Sequence, residues 1–141
     1  MRAYVGITDY DWYRFLAARP DLDEANFWKP GGRSGFAALQ PGEPFLFKLH
    51  APREYIVGGG YFAHFAAAVP ATLAWQSFDE KNGAVTFEEM VARIAKYRKE
   101  PLRPGIDPAI GCILLEQPFF FDEPDWMPAP ADWPRETVQG K

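Results

Sequence analysis

Residues 41–65, PGEPFLFKLHAPREYIVGGGYFAHF, contain the pattern that decides the fold class. A proline–glycine turn leads into an apolar run that predicts a strand at about 44–50. A second strand follows, and its three successive glycines permit a bulge or the close approach of another backbone. The stretch therefore predicts a hairpin-like pair of strands, to which the rest of the chain adds further elements.

Helix and strand signals alternate on both sides of this pair. Thr8 with Asp11, and Thr86 with Glu89, match the capping box that begins a helix, so helices are predicted at about 8–18 and from residue 86 to just before Pro101. Other predicted elements are strands at the N-terminus (MRAYVGI) and at 110–116 (IGCILLE), and a short apolar helix or turn at 69–78. We predict one α+β domain over residues 1–141: a small mixed β-sheet or partly closed barrel flanked by helices, with long ordered loops.

Composition limits where the protein works and what it binds. One cysteine in 141 residues excludes a disulfide framework, and no apolar stretch approaches the roughly twenty residues needed to cross a bilayer, so a cytoplasmic protein without a membrane partner is expected. The net charge is −4, but residues 25–104 carry ten basic and seven acidic side chains. A positive face is therefore compatible with the acidic total, and the overall sign does not exclude DNA.

Residues 26–36, NFWKPGGRSGF, are the most unusual segment. They show no period of two or 3.6, so we predict that residues 21–36 form a long ordered loop pinned by its aromatic side chains. Trp28 and Phe36 fit a structural plug as well as a binding surface. Lys29 and Arg33 fit a buried core poorly, because each would need a buried partner, and an anionic ligand such as phosphate suits them.

Catalytic signals are absent from the sequence. It has two histidines, His50 and His64, with Cys112 inside an apolar run, and it has no HExxH, CxxC, GxSxG or P-loop pattern. We therefore expect a chain that is not an enzyme and that needs neither metal nor cofactor.

Several of these segments together resemble a known family. TDYDWYRFLAARPDLDEANFWKPGG, PGEPFLFKLHAP, IVGGGYFAHF, EKNGA, IGCILLEQPFFF and the final VQGK are similar to the N-terminal sulfur-binding domain of phosphorothioate-dependent HNH restriction endonucleases of the McrA type, over essentially all 141 residues. The resemblance implies recognition of double-stranded DNA in which sulfur replaces a non-bridging phosphate oxygen. It also implies an HNH nuclease domain beyond residue 141, and through that part a homodimer.

The resemblance and the residue types together give a candidate site. Sulfur is softer and less strongly hydrated than oxygen, so an apolar notch among positive charges would prefer it. Two segments could form the notch, Trp28-Lys29-Pro30 or Val69-Pro70-Ala71, and the sequence leaves both open. The expected sulfur pocket comprises Trp28, Pro30, Phe65 and Pro70, and the expected DNA contacts are Lys29, Arg33, Ser34, His64, Lys81, Asn82, Arg93 and Lys96.

Several of these residues also fit an ordinary structural role. His64 also fits a satisfied core histidine, Lys81 and Asn82 an ordinary turn, and the basic side chains of the second helix a solvated face. At the level of the whole chain, the alternatives are a peptide- or protein-interaction module and a reader of modified bases, since a domain of this size can hold a flipped base between aromatic rings.

Overall fold

A computed structural model of the chain describes residues 2–33, 35–98, 101–130 and 137–140, the last four by backbone alone. Seven strands are found in these residues. They are β1 (Arg2–Thr8), β2 (Glu24–Lys29), β3 (Pro44–Leu49), β4 (Tyr55–Pro70), β5 (Ala109–Phe120), β6 (Met127–Pro128) and β7 (Thr137–Gly140).

The strands form one mixed sheet that is not closed. The order is β2-β5-β4-β3-β1-β7, and the short β6 pairs with β4 beside this path. β1 runs parallel to β3, and all other pairs are antiparallel. The predicted α+β class is confirmed, and of the two expected forms the chain adopts the open sheet.

The hairpin at residues 44–65 is confirmed as the antiparallel pair β3–β4. Its glycines serve close approach, as their pattern predicts. At Gly58, φ is +152°, and the backbone carbonyl of Phe119 on β5 occupies the space that a side chain would need. Only glycine therefore allows β5 to pair this closely with β4 at this point.

Three helices flank the sheet: α1 (Tyr10–Ala17), α2 (Ala71–Phe78) and α3 (Phe87–Tyr97). α3 begins as predicted, because the hydroxyl of Thr86 accepts a hydrogen bond from the backbone N–H of Glu89. The predicted cap of α1 is wrong by one residue. Asp9 accepts the bond from the Trp12 N–H, whereas Thr8 ends β1 and its hydroxyl donates to the carbonyl of Gly6. No helix in the described part of the chain is long and apolar enough to span a membrane.

The predicted loop at 21–36 is wrong in its middle part, because residues 24–29 form β2 and pair with β5 along their whole length. The alternation of a strand is hidden because both faces of β2 are covered. Phe27 packs into a large aromatic core with Trp12 and Phe47, while Trp28 faces a second core formed with α2 and α3. Within the predicted loop, the described residues outside β2, namely 21–23, 30–33, 35 and 36, are irregular.

Candidate functional site

The sheet leaves a gap between two strand edges. Among the described strands, β2 is terminal and pairs with β5 alone, and β7 pairs with Arg2 to Val5 of β1. Beyond Val5, β3 is the one strand paired with β1 among the described residues. A cavity of about 540 Å³ lies where these edges approach. It is lined by Tyr4, Val5, Gly6, Ile7, Asp9, Trp12, Phe27, Trp28, Lys29, Pro30, Leu49, His50, Ala51, Glu54 and Tyr97.

Five of the lining residues are aromatic, and their rings are fixed by packing. The ring of Trp12 meets that of Phe27 edge-on, with ring centroids 5.4 Å apart. Phe45 and Phe27 also occupy the space where a side chain on Gly6 would lie, so the glycine lets the two strands approach across the gap. The aromatic part of the wall is thus closely packed and apolar, as in most small-molecule sites.

Asp9 is the main polar group of the wall, and its side chain is only 11% exposed. Its Oδ1 accepts a short hydrogen bond from the Tyr97 hydroxyl, and its Oδ2 accepts one from the Trp12 N–H at 3.0 Å. Arg93 Nε and Lys96 Nζ lie 3.9 and 3.8 Å from its oxygens. Burial raises the pKa of Asp9, but the two hydrogen bonds and the two cations outweigh burial and leave that pKa below its ordinary value. The carboxylate is therefore ionised at neutral pH.

The same contact acts in the opposite direction on Tyr97. Burial, the hydrogen bond to Asp9 and the charge of the carboxylate together raise the pKa of the phenol well above its usual range. Tyr97 therefore stays protonated, and its hydroxyl donates a hydrogen bond to Asp9. Next to it, the exposed ring of His50 stacks on the Tyr97 ring, with centroids 5.2 Å apart and planes 5° from parallel.

The segment after β2 borders the cavity. Lys29 is partly exposed, and its Nζ donates to the carbonyl of Gly35 at 3.2 Å. Arg98, at the end of α3, donates to the carbonyls of Pro30 and Ala109, each at 3.3 Å. The arginine thus ties the start of the segment to β5 and holds Pro30 in place.

The two candidate segments for the sulfur notch lie in different surroundings. Trp28 and Pro30 line the cavity, although Trp28 is only 9% exposed and its indole N–H donates to the carbonyl of Asn82. Phe65 packs instead beside Phe36, with ring centroids 6.1 Å apart, and Pro70 lies exposed at the start of α2. Of the four residues, Trp28 and Pro30 line this cavity, and Phe65 and Pro70 do not.

The predicted DNA contacts separate in the same way. Lys29 and Lys96 lie on or beside the cavity. Arg33 is exposed in the segment that follows Lys29, and His64 is exposed on β4 but does not line the cavity. Ser34 lies outside the described residues.

Asn82 requires a correction, because its side chain is fully buried and does not face solvent. It accepts a hydrogen bond from the amide of Asn26 at 2.8 Å and donates to the carbonyls of Ala74 and Asp79. A side chain with all of these partners inside the fold does not reach a base edge. The sequence EKNGA therefore reflects an internal hydrogen-bond junction between β2 and α2.

Lys81 and Arg93 both form ion pairs with carboxylates of the same chain. Lys81 Nζ pairs with Asp23 at 3.1 Å and with Glu24 at 2.8 Å. Arg93 is 11% exposed, donates to the carbonyl of Gly83 and pairs with Glu89. Both cations are neutralised within the chain, which makes them weaker candidates for phosphate than Lys29, Arg33 and Lys96.

Comparison with protein-family models and with curated proteins found no match. The site must therefore be interpreted from its own geometry. Among the described residues, no group of three or more His, Cys, Asp or Glu side chains is arranged to hold a metal ion.

Sequence reasoning missed Asp9, His50 and Tyr97 as site residues. Aspartate is a residue type preferred at the helix N-cap, so Asp9 was a possible cap, but the capping-box pattern favoured Thr8. Tyr97 occupies the last apolar position of α3, where the 3.6-residue period indicates only packing. These residues become a site only when β1, α3 and the β3–β4 turn meet.

Proposed function

We propose that this chain is a reader of chemically modified double-stranded DNA that holds a modified nucleobase, rotated out of the duplex, in the cavity between β1 and β2. The single observation that carries the proposal is the cavity of about 540 Å³ between two strand edges, with aromatic walls and a buried carboxylate. This volume is within the range of sites that enclose small organic groups.

Each part of the cavity suits a flipped base. Aromatic residues such as Tyr4 and Phe27 offer the apolar surface on which an unstacked base is held. Strand edges that have no neighbouring strand among the described residues offer backbone N–H and C=O groups that can pair with the polar edge of a base. Together they would offset the few kcal/mol that unstacking a base costs.

Phosphate contacts would come from the basic side chains around this gap. Lys29 lies at the cavity, Lys96 is 63% exposed beside Asp9, and Arg33 is exposed in the segment after Lys29. Such contacts position DNA without reading its sequence and weaken steeply as salt rises. We expect Arg33→Ala to weaken binding to modified and unmodified duplexes alike.

Phosphorothioate recognition, the ligand implied by the resemblance, is the second candidate. It is favoured by the adjacency of Lys29 and Pro30 at the cavity, a cation beside an apolar ring. Two features favour the base instead. A sulfur atom needs a volume similar to that of a water molecule, about 30 Å³, and an anionic thiophosphate inside the cavity would meet the carboxylate of Asp9.

On either reading, the chain is a cytoplasmic binding domain without catalysis of its own, and its role is to direct an attached HNH endonuclease to modified DNA. The resemblance supports the nuclease, and the lack of catalytic motifs in the sequence is compatible with this division of labour.

Binding to one duplex sequence in several chemical forms tests the proposal. The forms are unmodified, with a single phosphorothioate of each stereochemistry, and with 5-methylcytosine, 5-hydroxymethylcytosine or N6-methyladenine. Fluorescence anisotropy at fixed salt should show at least one modified base bound about tenfold more tightly than the unmodified duplex, or about 1.4 kcal/mol. Equal affinity for all forms would reject both candidates, and a preference confined to phosphorothioate would select the second.

A blocked cavity provides the matched variant. Ala51 is exposed and lines the cavity, so Ala51→Phe should abolish the preference for the modified duplex and leave the salt-sensitive background binding. Ala92→Phe adds the same ring at an exposed position of α3 that does not line the cavity, and it should retain the preference.

A further inference from the structure

The polar groups of the cavity bear on which bases it would accept. We infer, on the basis of the proposed function, that the cavity selects a base carrying an exocyclic amino group, and that Asp9 is the residue that determines this specificity. The amino group meant here is the 4-amino group of cytosine derivatives or the 6-amino group of adenine derivatives. Thymine, the modified uracils and guanine present a keto oxygen at the equivalent position, and the amino group of guanine lies at C2 instead.

The two hydrogen bonds described at the Asp9 side chain are both donated to its carboxylate. An ionised carboxylate only accepts, and its two oxygens offer about four acceptor positions. In the described structure, two of these positions receive the Tyr97 hydroxyl and the Trp12 N–H. The nearest cations, Arg93 Nε and Lys96 Nζ at 3.9 and 3.8 Å, lie beyond hydrogen-bond distance. Asp9 therefore retains acceptor capacity within the lining of the cavity.

The Tyr97 hydroxyl is a side-chain group hydrogen-bonded to Asp9 that has a proton to donate. Tyr97 could donate to a keto oxygen, but its proton is already committed to Asp9. What the phenol can offer a ligand is the lone pair of its oxygen. The Asp9–Tyr97 pair therefore presents acceptors, and a base must supply the hydrogen atoms.

A base that places a keto oxygen against Asp9 loses binding free energy. A keto oxygen placed against the buried carboxylate would leave two acceptors facing each other without a proton, and both would have lost water. An amino group in the same place makes a hydrogen bond to a charged acceptor, which is stronger than a neutral one. Sites of this kind discriminate sharply because the wrong partner leaves buried polar groups unpaired.

Matched pairs of bases isolate the amino group. Duplexes of one sequence carrying 5-hydroxymethylcytosine or 5-hydroxymethyluracil have the same 5-substituent and differ at the 4-amino or 4-keto position and in the proton on N3. Adenine and hypoxanthine make a corresponding purine pair, which differs at the 6-amino or 6-keto position and in the proton on N1. We expect the amino member of at least one pair to bind about tenfold or more tightly, measured by anisotropy with the unaltered chain.

Asp9→Asn tests the role of the carboxylate. Asparagine caps helices as well as aspartate, so α1 should still form, and circular dichroism verifies this. Its amide can donate as well as accept, so the amino preference should fall below about threefold. Glu88→Gln, at an exposed position of α3 that does not line the cavity, serves as the charge-matched control and should keep the full preference.

The outcomes separate this inference from the proposed function. Equal or tighter binding of the keto members, or a preference unchanged in Asp9→Asn, would overturn the amino rule while leaving base reading intact. Failure of the unaltered chain to distinguish any modified duplex from the unmodified one would overturn the proposed function itself. The comparison within the unaltered chain is decisive even if the variant fails to fold.

Discussion

Replacing Asn82 by alanine distinguishes a structural role from a DNA contact. The substitution removes three side-chain hydrogen bonds, to Asn26, Ala74 and Asp79, from a residue with no exposed surface. At about 1 kcal/mol of net stability for each bond, the expected loss is about 3 kcal/mol. For a domain of this size, that corresponds to a decrease in Tm of about 10 °C.

Urea denaturation followed by circular dichroism measures the stability, and anisotropy below the unfolding transition measures DNA affinity. We expect Asn82→Ala to lower the unfolding midpoint while the affinity of the folded protein stays unchanged. Lys81→Ala is the neighbouring control and should destabilise much less, because its ion pairs lie at the surface. A variant of Asn82 with normal stability and reduced DNA affinity would refute the structural assignment.

Three further predictions concern stability and reactivity. Because the pKa of Asp9 is lowered on folding, the wild-type protein should be more stable than Asp9→Asn at pH 7, and urea titrations should show this advantage shrinking as the pH falls below about 4; an advantage that grows with acid would contradict the sign. Burial raises the pKa of the Cys112 thiol despite a hydrogen bond from Asn26, so a thiol reagent should label it only on unfolding, and rapid native labelling would show that the core is open. Thr86→Ala removes the cap of α3 and should cost about 1 kcal/mol in the same denaturation assay, whereas Thr86→Ser should cost little; equal losses would point to packing rather than capping.

The parts of the fold that sequence predicts best are those with local signals. The β3–β4 hairpin follows from a turn and an apolar run, and α3 follows from a cap and a 3.6-residue stripe. β2 escaped prediction because its alternation depends on two different cores, one on each face, and these form only when α2 and α3 pack on the sheet. EANFWK has neither the alternation of a half-buried strand nor the continuous apolar run that predicts β5, because Asn26 lies among its apolar residues.

The site was predictable only in part for a related reason. Lys29 and Pro30 stand out in the sequence as a cation and a ring beside aromatic residues, and they do line the cavity. Asp9 and Tyr97 lie 88 positions apart, so their contact is a product of topology. Asn82 shows the opposite error. Its turn-like sequence predicted a side chain available to DNA, but the side chain is buried and hydrogen-bonded to Asn26, 56 positions away.

The most direct test of base reading is a co-crystal structure of the chain with a duplex carrying the preferred modification. The account predicts that the modified base has left the stack and lies between β1 and β2, with its amino group against the carboxylate of Asp9 and the flanking phosphates near Lys29 and Arg33. A duplex whose bases all remain stacked, with the cavity empty of DNA, would contradict the account.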